Sequence, residues 1–273
     1  MKKLSDSPKT KIKKELKEVK VSPRLTVILI GQNSASKSFI RKKKKMCREI
    51  GFKFSLQTFK KETPMEEIIG KIQELNEDPD VHGILPQLPL PRIDENKVFE
   101  AIKPEKDVDG LTPENLGHLL RDNPKIIPGT VEAVLEILEH YDVDIESQNI
   151  TIVNNSNLIG KPLSMALTNR MTTVTICHHK TKNLKKHTEN ADILITATGK
   201  PDLITADMIK EDAVVIDAGY AKEDGKVQGD VKFEEVKEKA SKITPNPGGV
   251  GPVTVAVTMR NLLKCYRMQQ DEN

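Results

Sequence analysis

The sequence predicts an α/β protein built on parallel sheet, and three observations carry that expectation. In the second half, short aliphatic runs at 150–153, 173–177, 192–196, 213–217 and 242–244 alternate with helical patterns. Strands separated by helices pair in parallel, with helices on both faces. The stretch 149–164 passes from an apolar strand through Asn154, Asn155, Ser156 and Asn157 into helical spacing. The first half repeats this alternation with fewer strands. Right-handed crossovers then place the loops after the strands along one edge, where open sheets bind ligands.

Taken in order, residues 6–20 have the spacing of an amphipathic helix through Ile12, Leu16 and Val19. Residues 25–30 read as a strand, turned by Gly31 and Asn33 into a helix that runs to about Ile50. A second strand covers 54–59. Pro64 opens a helix with Ile68, Ile69, Ile72 and Leu75 on one face. A short strand at 82–85 leads into the segment 86–91, whose prolines make it a rigid extended loop. Helical stretches at 94–122 are broken by Pro104 and by the loop 106–110. Helix 130–141 links the halves. Ile152 and Val153 end a buried strand; Ser and Asn favour the following turn. Helix 159–169 tolerates Pro162 because it lies in the first turn. Gly248, Gly249 and Gly251 form a flexible loop before a final helix from about Pro252.

Composition excludes several classes. With aromatics at 3% and no Trp, the chain lacks a stacking platform for single-stranded nucleic acid. The net charge of +3 is concentrated in Lys-rich stretches at 2–20 and 41–45, which read as solvated helix faces. Three Cys without a C-x-x-C pair argue against a disulfide framework or a zinc site. No apolar signal core or membrane-length run is present, so a cytoplasmic location is expected, with neither nucleic acid nor membrane as partner.

Lys43 is the most informative position in the first half. At about 3.6 residues per turn it falls within a stripe of Phe39, Ile40, Met46, Cys47 and Ile50. Burying an ammonium is costly, and desolvation lowers its pKa toward neutrality, as a proton carrier requires. The plainer reading is a lysine that snorkels to water. Gln87, among prolines at a strand end, is held for hydrogen bonding or is a surface glutamine. Asp107 and Asp109 share a side if the loop is extended; no metal-ligand partner stands at the required spacing. Asp109 suits an amino-heterocycle as an acceptor, and a turn carboxylate is the alternative.

The turn 154–160 has only Gly160 of the G-x-G-x-x-G dinucleotide pattern. A helix N-terminus still offers N–H groups to an anion. Cys177-His178-His179-Lys180 closes the next strand, ~20 residues on, where a dinucleotide's adenosine ribose is tested. Positive charge there suits the extra phosphate of NADP, whereas an acid would suit NAD. Gly199 and Gly219-Tyr220 end two further strands and allow close backbone approach to a ligand.

Together these segments resemble the bifunctional methylenetetrahydrofolate dehydrogenase/methenyltetrahydrofolate cyclohydrolase family. The specific parts are Gly83-Ile-Leu-Pro-Gln-Leu-Pro-Leu-Pro91, Lys106-Asp-Val-Asp-Gly110, Ser156-Asn-Leu-Ile-Gly-Lys-Pro162 and Thr244-Pro-Asn-Pro-Gly-Gly-Val-Gly-Pro252. The resemblance implies a homodimer of two-domain subunits with a cleft between the domains. Residues 1–124, completed by helix 252–273, would hold folate; residues 125–251 would form a Rossmann-like NAD(P) domain. It makes Lys43 the catalytic lysine, Gln87 its partner and Asp109 the pterin anchor. Phe39, Leu88, Pro89, Pro247, Gly248 and Gly249 would border the folate. Asn154, Asn155, Ser156, Gly160, Pro162, His178, His179, Gly199, Gly219, Tyr220 and Thr254 would line the cofactor, NADP with NAD as the alternative. Tetrahydrofolate is the one-carbon carrier, and no metal is required.

The chain departs from the family pattern at four places. Phe39 replaces the usual Tyr, and Asn154-Asn155-Ser156 replaces Gly-Arg-Ser. His179 stands for the Ser after Cys-His, and the N-terminal segment is short of an opening strand. Competing readings are a dehydrogenase with a weak second activity because of Phe39, a silent folate- or nucleotide-binding protein, and a Schiff-base enzyme using Lys43.

Overall fold

The aliphatic run Arg24–Ile30, β1, is the centre of a three-stranded parallel sheet ordered β2-β1-β3. β2 is Lys53–Phe59 and β3 is Gly83–Pro86. The structure is a computed structural model that describes residues 22–223 and 226–271. The helix expected at 6–20 lies outside the described residues. Between β1 and β2 runs α1, Ser34–Ile50. Asn33 caps it, accepting from the Ser36 N–H at 3.0 Å, and Gly51 ends it at φ +94°, which a side chain would strain. α2, Met65–Glu77, follows Pro64, and its C-terminal carbonyls Leu75 and Asp78 accept from the Lys106 ammonium at 3.1 and 2.8 Å. α3, Glu95–Glu100, and α4, Pro113–Leu120, flank a 3₁₀ turn at Pro104–Lys106.

Pro86 was expected in the loop, yet it ends β3 opposite Ile28. It has no N–H to give and needs none, because β3 is the edge of its sheet and the nitrogen at this position faces away from β1; the ladder is made by the Gln87 N–H, which donates to the Ile28 carbonyl at 2.8 Å. The loop therefore begins one residue later, with Gln87 anchored to the sheet.

The second sheet is fully parallel and ordered β10-β7-β6-β4-β5. Its strands are β4 Asn149–Val153, β5 Thr173–Cys177, β6 Ile193–Thr196, β7 Val214–Asp217 and β10 Lys242–Ile243. α5 Gly129–His140 leads into β4, and α6 Gly160–Thr168, α7 Leu184–Thr188 and α8 Phe233–Val236 lie between later strands, with a small hairpin of β8 Ala221–Glu223 and β9 Lys226–Gln228. Chain order reverses between β4 and β6. That switch point opens a crevice at the carboxyl ends of these two strands.

The described residues fall into two compact units, 22–129 with 255–271, and 130–254. The first unit's core joins β1 and α1 to the last helix, α9 Val250–Asp271, through Val255, Met259, Leu262 and Tyr266. Gly83 permits that packing, because a Cβ there would lie 2.4 Å from Val108 and 2.6 Å from Leu262. Asn261 donates to the Val108 and Ile127 carbonyls, and Gln269 to those of His82 and Glu105. α9 begins two residues before its expected start. Gly251, read as loop, is helical, and Pro252 is accommodated in the first turn.

Candidate active site

In the first unit, α1 presents Ser36, Ile40, Lys43 and Cys47 on its buried face. Lys43 is only 6% exposed, so it does not snorkel. Its ammonium donates to Gln87 Oε1 at 3.1 Å. Burial lowers the Lys43 pKa, opposed by the Asp109 carboxylate nearby. Burial likewise pushes the Asp109 carboxyl up, and Lys43 pulls it back. Cys47, one turn along, is pushed up to about 12 by burial and stays a thiol. Three residues distant in sequence are thus gathered into one buried group around the Lys43 amine.

Gln87 is held at both ends: its Nε2 donates to the Leu88 carbonyl at 3.3 Å, which also accepts from the Ser36 hydroxyl at 2.9 Å. Leu88–Pro89 is a cis peptide. Ser36 is a residue the sequence reading missed. Its signal was present, since it lies one position of the buried stripe before Ile40. Phe39 sits one turn before Lys43, half-buried, with the Lys42 ammonium 5.2 Å from its ring centre. Leu88 is half-buried and Pro89 exposed.

The loop that carries Asp107 and Asp109 is not extended, the condition on which the two were expected to share a side. Residues 108–109 form a turn. Asp107 is wholly buried and accepts from the Thr112 N–H at 2.7 Å and the Asn115 amide at 3.0 Å. Its role is to tie the loop to α4, leaving Asp109 with Lys43. Among the described residues no group of three His, Cys, Asp or Glu could hold a metal ion.

In the second unit, a cavity of about 280 Å³ lies at the switch point. It is lined by Asn154, Asn155 and Ser156 after β4, by His178, His179 and Thr181 after β5, and by Thr198 and Lys200 after β6. The anion site expected at the start of α6 is closed by the chain itself. The Gly160 N–H donates to Asn154 Oδ1 at 2.9 Å, and the Lys161 N–H to the Ser156 carbonyl at 3.1 Å. Pro162 has no N–H, and the Leu163 N–H is bonded within the helix to Ile159. The first turn therefore keeps no free donor for a phosphate, because the Asn154 side chain, six residues upstream of Gly160, takes the first of them.

The charge is also distributed differently from the expectation. His178 Nδ1 accepts from the Lys180 N–H at 3.2 Å. Lys180 does not line the cavity, whereas Lys200 does. Thr181, which accepts from the His178 N–H at 2.9 Å, and Lys200 are cavity residues that strand-end reading missed. Gly199, at φ +70°, and Gly219 were expected to admit a ligand. The close neighbours there belong to the protein: a Cβ on Gly199 would lie 3.1 Å from the Tyr220 carbonyl, and one on Gly219 would lie 2.2 Å from Asp230. Thr254 bonds back along α9 to Val250 at 3.2 Å. Pro247, Gly248 and Gly249 form the turn before that helix, with Gly248 at φ +113° and Asn246–Pro247 cis.

This chain is similar to known proteins over nearly its whole length. The model of the tetrahydrofolate dehydrogenase/cyclohydrolase catalytic domain matches residues 1–109, and that of the NAD(P)-binding domain of the same enzymes matches 128–270. The chain belongs to the tetrahydrofolate dehydrogenase/cyclohydrolase family. A bifunctional protein FolD of Exiguobacterium sibiricum is 47% identical over 270 residues, covering 97% of this chain and 98% of the relative. The bifunctional FolD methylenetetrahydrofolate dehydrogenase/cyclohydrolase structure from Campylobacter jejuni has a TM-score of 0.93 at 39% identity, covering 97% of this chain and 96% of its own. The Trypanosoma brucei enzyme, solved with NADP cofactor and inhibitor, has a TM-score of 0.93 at 32% identity, covering 97% and 95%.

Within this family frame, the donor set around the cavity suits a dinucleotide. Asn155 and Lys200 are exposed polar groups that line it, and the site lies where parallel sheets bind nucleotides.

Proposed function

We propose that the protein oxidises 5,10-methylenetetrahydrofolate to the 5,10-methenyl form with NADP and then hydrolyses that product to 10-formyltetrahydrofolate. The observation that carries this reading is the buried Lys43–Gln87 hydrogen bond beside Asp109. When bound, NADP supplies the hydride acceptor. The first step needs two rings held face to face, and the chain contributes position rather than proton transfer. Loss of hydride leaves a cationic methenyl carbon. Water adds to it, the ring C–N bond opens, and one proton is released in total. Lys43, depressed by burial, takes the proton of the attacking water and returns one to the departing nitrogen. Gln87 keeps the amine aimed, and Asp109 anchors the pterin's amino edge. The family's bifunctional relatives support this over a silent binding protein. Oxidation and hydrolysis are to be followed separately with purified protein, methylenetetrahydrofolate and either dinucleotide. Formation of reduced cofactor followed by methenyl and then formyl product is expected; absence of both would refute the reading.

The same reading takes the protein to be a cytoplasmic homodimer with folate and dinucleotide as its small-molecule partners. No described helix is long and apolar enough to cross a membrane. β5 is an edge strand that exposes Ile176 at 38%, which suits pairing with a second copy.

NADP should be preferred over NAD. Lys200 at the cavity and the lack of an acid after β5 favour the extra phosphate. A charge-assisted contact of this kind is worth about 1.5–3 kcal/mol, or roughly ten- to a hundredfold. Equal kcat/KM for the two dinucleotides, or an advantage for NAD, would sink the prediction. Asn155, in place of the family's usual Arg, works toward the lower figure.

Phe39→Tyr should raise the ratio of hydrolysis to oxidation with little change in folate affinity. The two rings present nearly the same apolar face, so stacking persists. The added hydroxyl lies one helical turn from Lys43, within range to constrain the amine. Hydride transfer uses no side-chain proton carrier and should be insensitive. An unchanged or lower ratio would mean that the hydroxyl has no role in this protein.

A further inference from the structure

Two carboxylates are buried at the carboxyl ends of β6 and β7, outside the sites described above. Asp230 is wholly buried and Asp217 is 3% exposed. Neither forms an ion pair among the described residues; both are satisfied by hydrogen bonds to the turns after the strands. Asp217 accepts from the N–H groups of Gly219, Asp230 and Val231 at 2.9, 3.2 and 3.1 Å, and from the Asn246 amide at 3.3 Å. Asp230 is held in place by this bond from its own N–H.

The side chain of Asp230 then reaches the opposite way. Its Oδ2 accepts from the Thr196 hydroxyl at 2.7 Å and from the Thr198 N–H, and its Oδ1 accepts from the Lys200 N–H at 3.0 Å. Gly219 presses against the same carboxylate, leaving no room for a Cβ. The turn 197–200 is fastened on its other side by the Asn154 amide, which donates to the Ala197 carbonyl at 2.7 Å. Thr198 and Lys200 are the two residues this turn contributes to the cavity at the switch point.

We infer that Asp230 is a positioning residue for the dinucleotide: it fixes the turn that carries Thr198 and Lys200 into the cofactor cavity without touching the cofactor itself. The inference rests on the dinucleotide-binding reading given above. A buried carboxylate that gathers the Thr196 hydroxyl at the end of β6 and two N–H donors of the following turn is costly to desolvate, and it persists only where those donors compensate it. An uncharged apolar side chain would leave the Thr198 and Lys200 N–H groups without acceptors.

The test is Asp230→Asn, compared with the parent protein. The amide group must face either the Thr198 or the Lys200 N–H, donor against donor, so one of the two is released. The Kd for NADP, from direct titration of fluorescence, and the KM for NADP should both rise about tenfold, the scale of one lost charge-assisted bond. Hydrolysis of methenyltetrahydrofolate uses no dinucleotide, and its proposed residues lie in the other compact unit, so it should stay within about twofold of the parent. An unchanged Kd, or a parallel loss of hydrolysis and binding, overturns the inference. Should Asp230→Asn fail to fold, Thr196→Val decides. It removes one donor at constant shape and should raise the Kd severalfold with hydrolysis intact; no rise overturns the inference. A parent protein that binds NADP but does not oxidise the folate would instead overturn the functional reading, and the binding titration would still test Asp230.

Discussion

Lys43→Met protein is expected to lose hydrolytic activity by at least ~100-fold, the lower range for a positioned acid–base group. The methionine keeps an unbranched stem on the buried face that Lys43 shares with Ile40, Met46 and Cys47 and removes only the proton carrier. Gln87 then has no ammonium to receive, and the charge that holds Asp109 down is gone. Hydride transfer needs position rather than a proton relay, so oxidation should fall less than hydrolysis. Both rates are to be measured on the same preparation, with a thermal melt to establish folding. A folded Lys43→Met protein that hydrolyses methenyltetrahydrofolate at the parent rate would remove Lys43 from the chemistry.

Gly160→Ala is expected to destabilise the 130–254 unit by about 3 kcal/mol or more, the upper range for overpacking a filled site. A Cβ at this position would lie 2.0 Å from the Asn154 carbonyl oxygen and 2.4 Å from its carbon. These are backbone atoms and cannot rotate away. Relief requires the turn 154–160 to move, which breaks the Asn154 bonds to Ser156, Gly160 and Ala197 together. The dinucleotide cavity should therefore be lost along with the stability, so NADP titration and thermal unfolding should change together. A variant with parent stability and parent NADP affinity would mean that the turn is free to shift, contrary to the packing described.

Most of the architecture was legible in the sequence because secondary structure follows local periodicity. The β-branched runs at β1, β4 and β6 are buried strands, and the stripe through Ile40, Lys43 and Cys47 is the buried face of α1. The lysine's unusual place on that face was visible from spacing alone. Proline and glycine effects were less legible where the surroundings decided them: Pro86 stays in β3 because its nitrogen faces away from β1 at the edge of the sheet, and Gly251 is helical with Pro252 fitting the first turn.

The candidate sites depended on tertiary structure to a greater degree. Sequence determined that Lys43, Gln87 and Asp109 were the residue types for the chemistry, and resemblance put them together. The resemblance had already singled out Asp109 rather than Asp107, and the fold supplies the physical reason: Asp107 is occupied by Thr112 and Asn115, while Asp109 lies near Lys43. Only the fold showed that Asn154 and Ser156 spend the donors at the start of α6 on the chain itself, and that Lys200 rather than Lys180 faces the cavity. Periodicity reports which side of an element is buried, a property of neighbours a few residues apart. Which donor meets which acceptor depends on chain segments brought together from tens of residues away, and a local pattern carries no record of those distances.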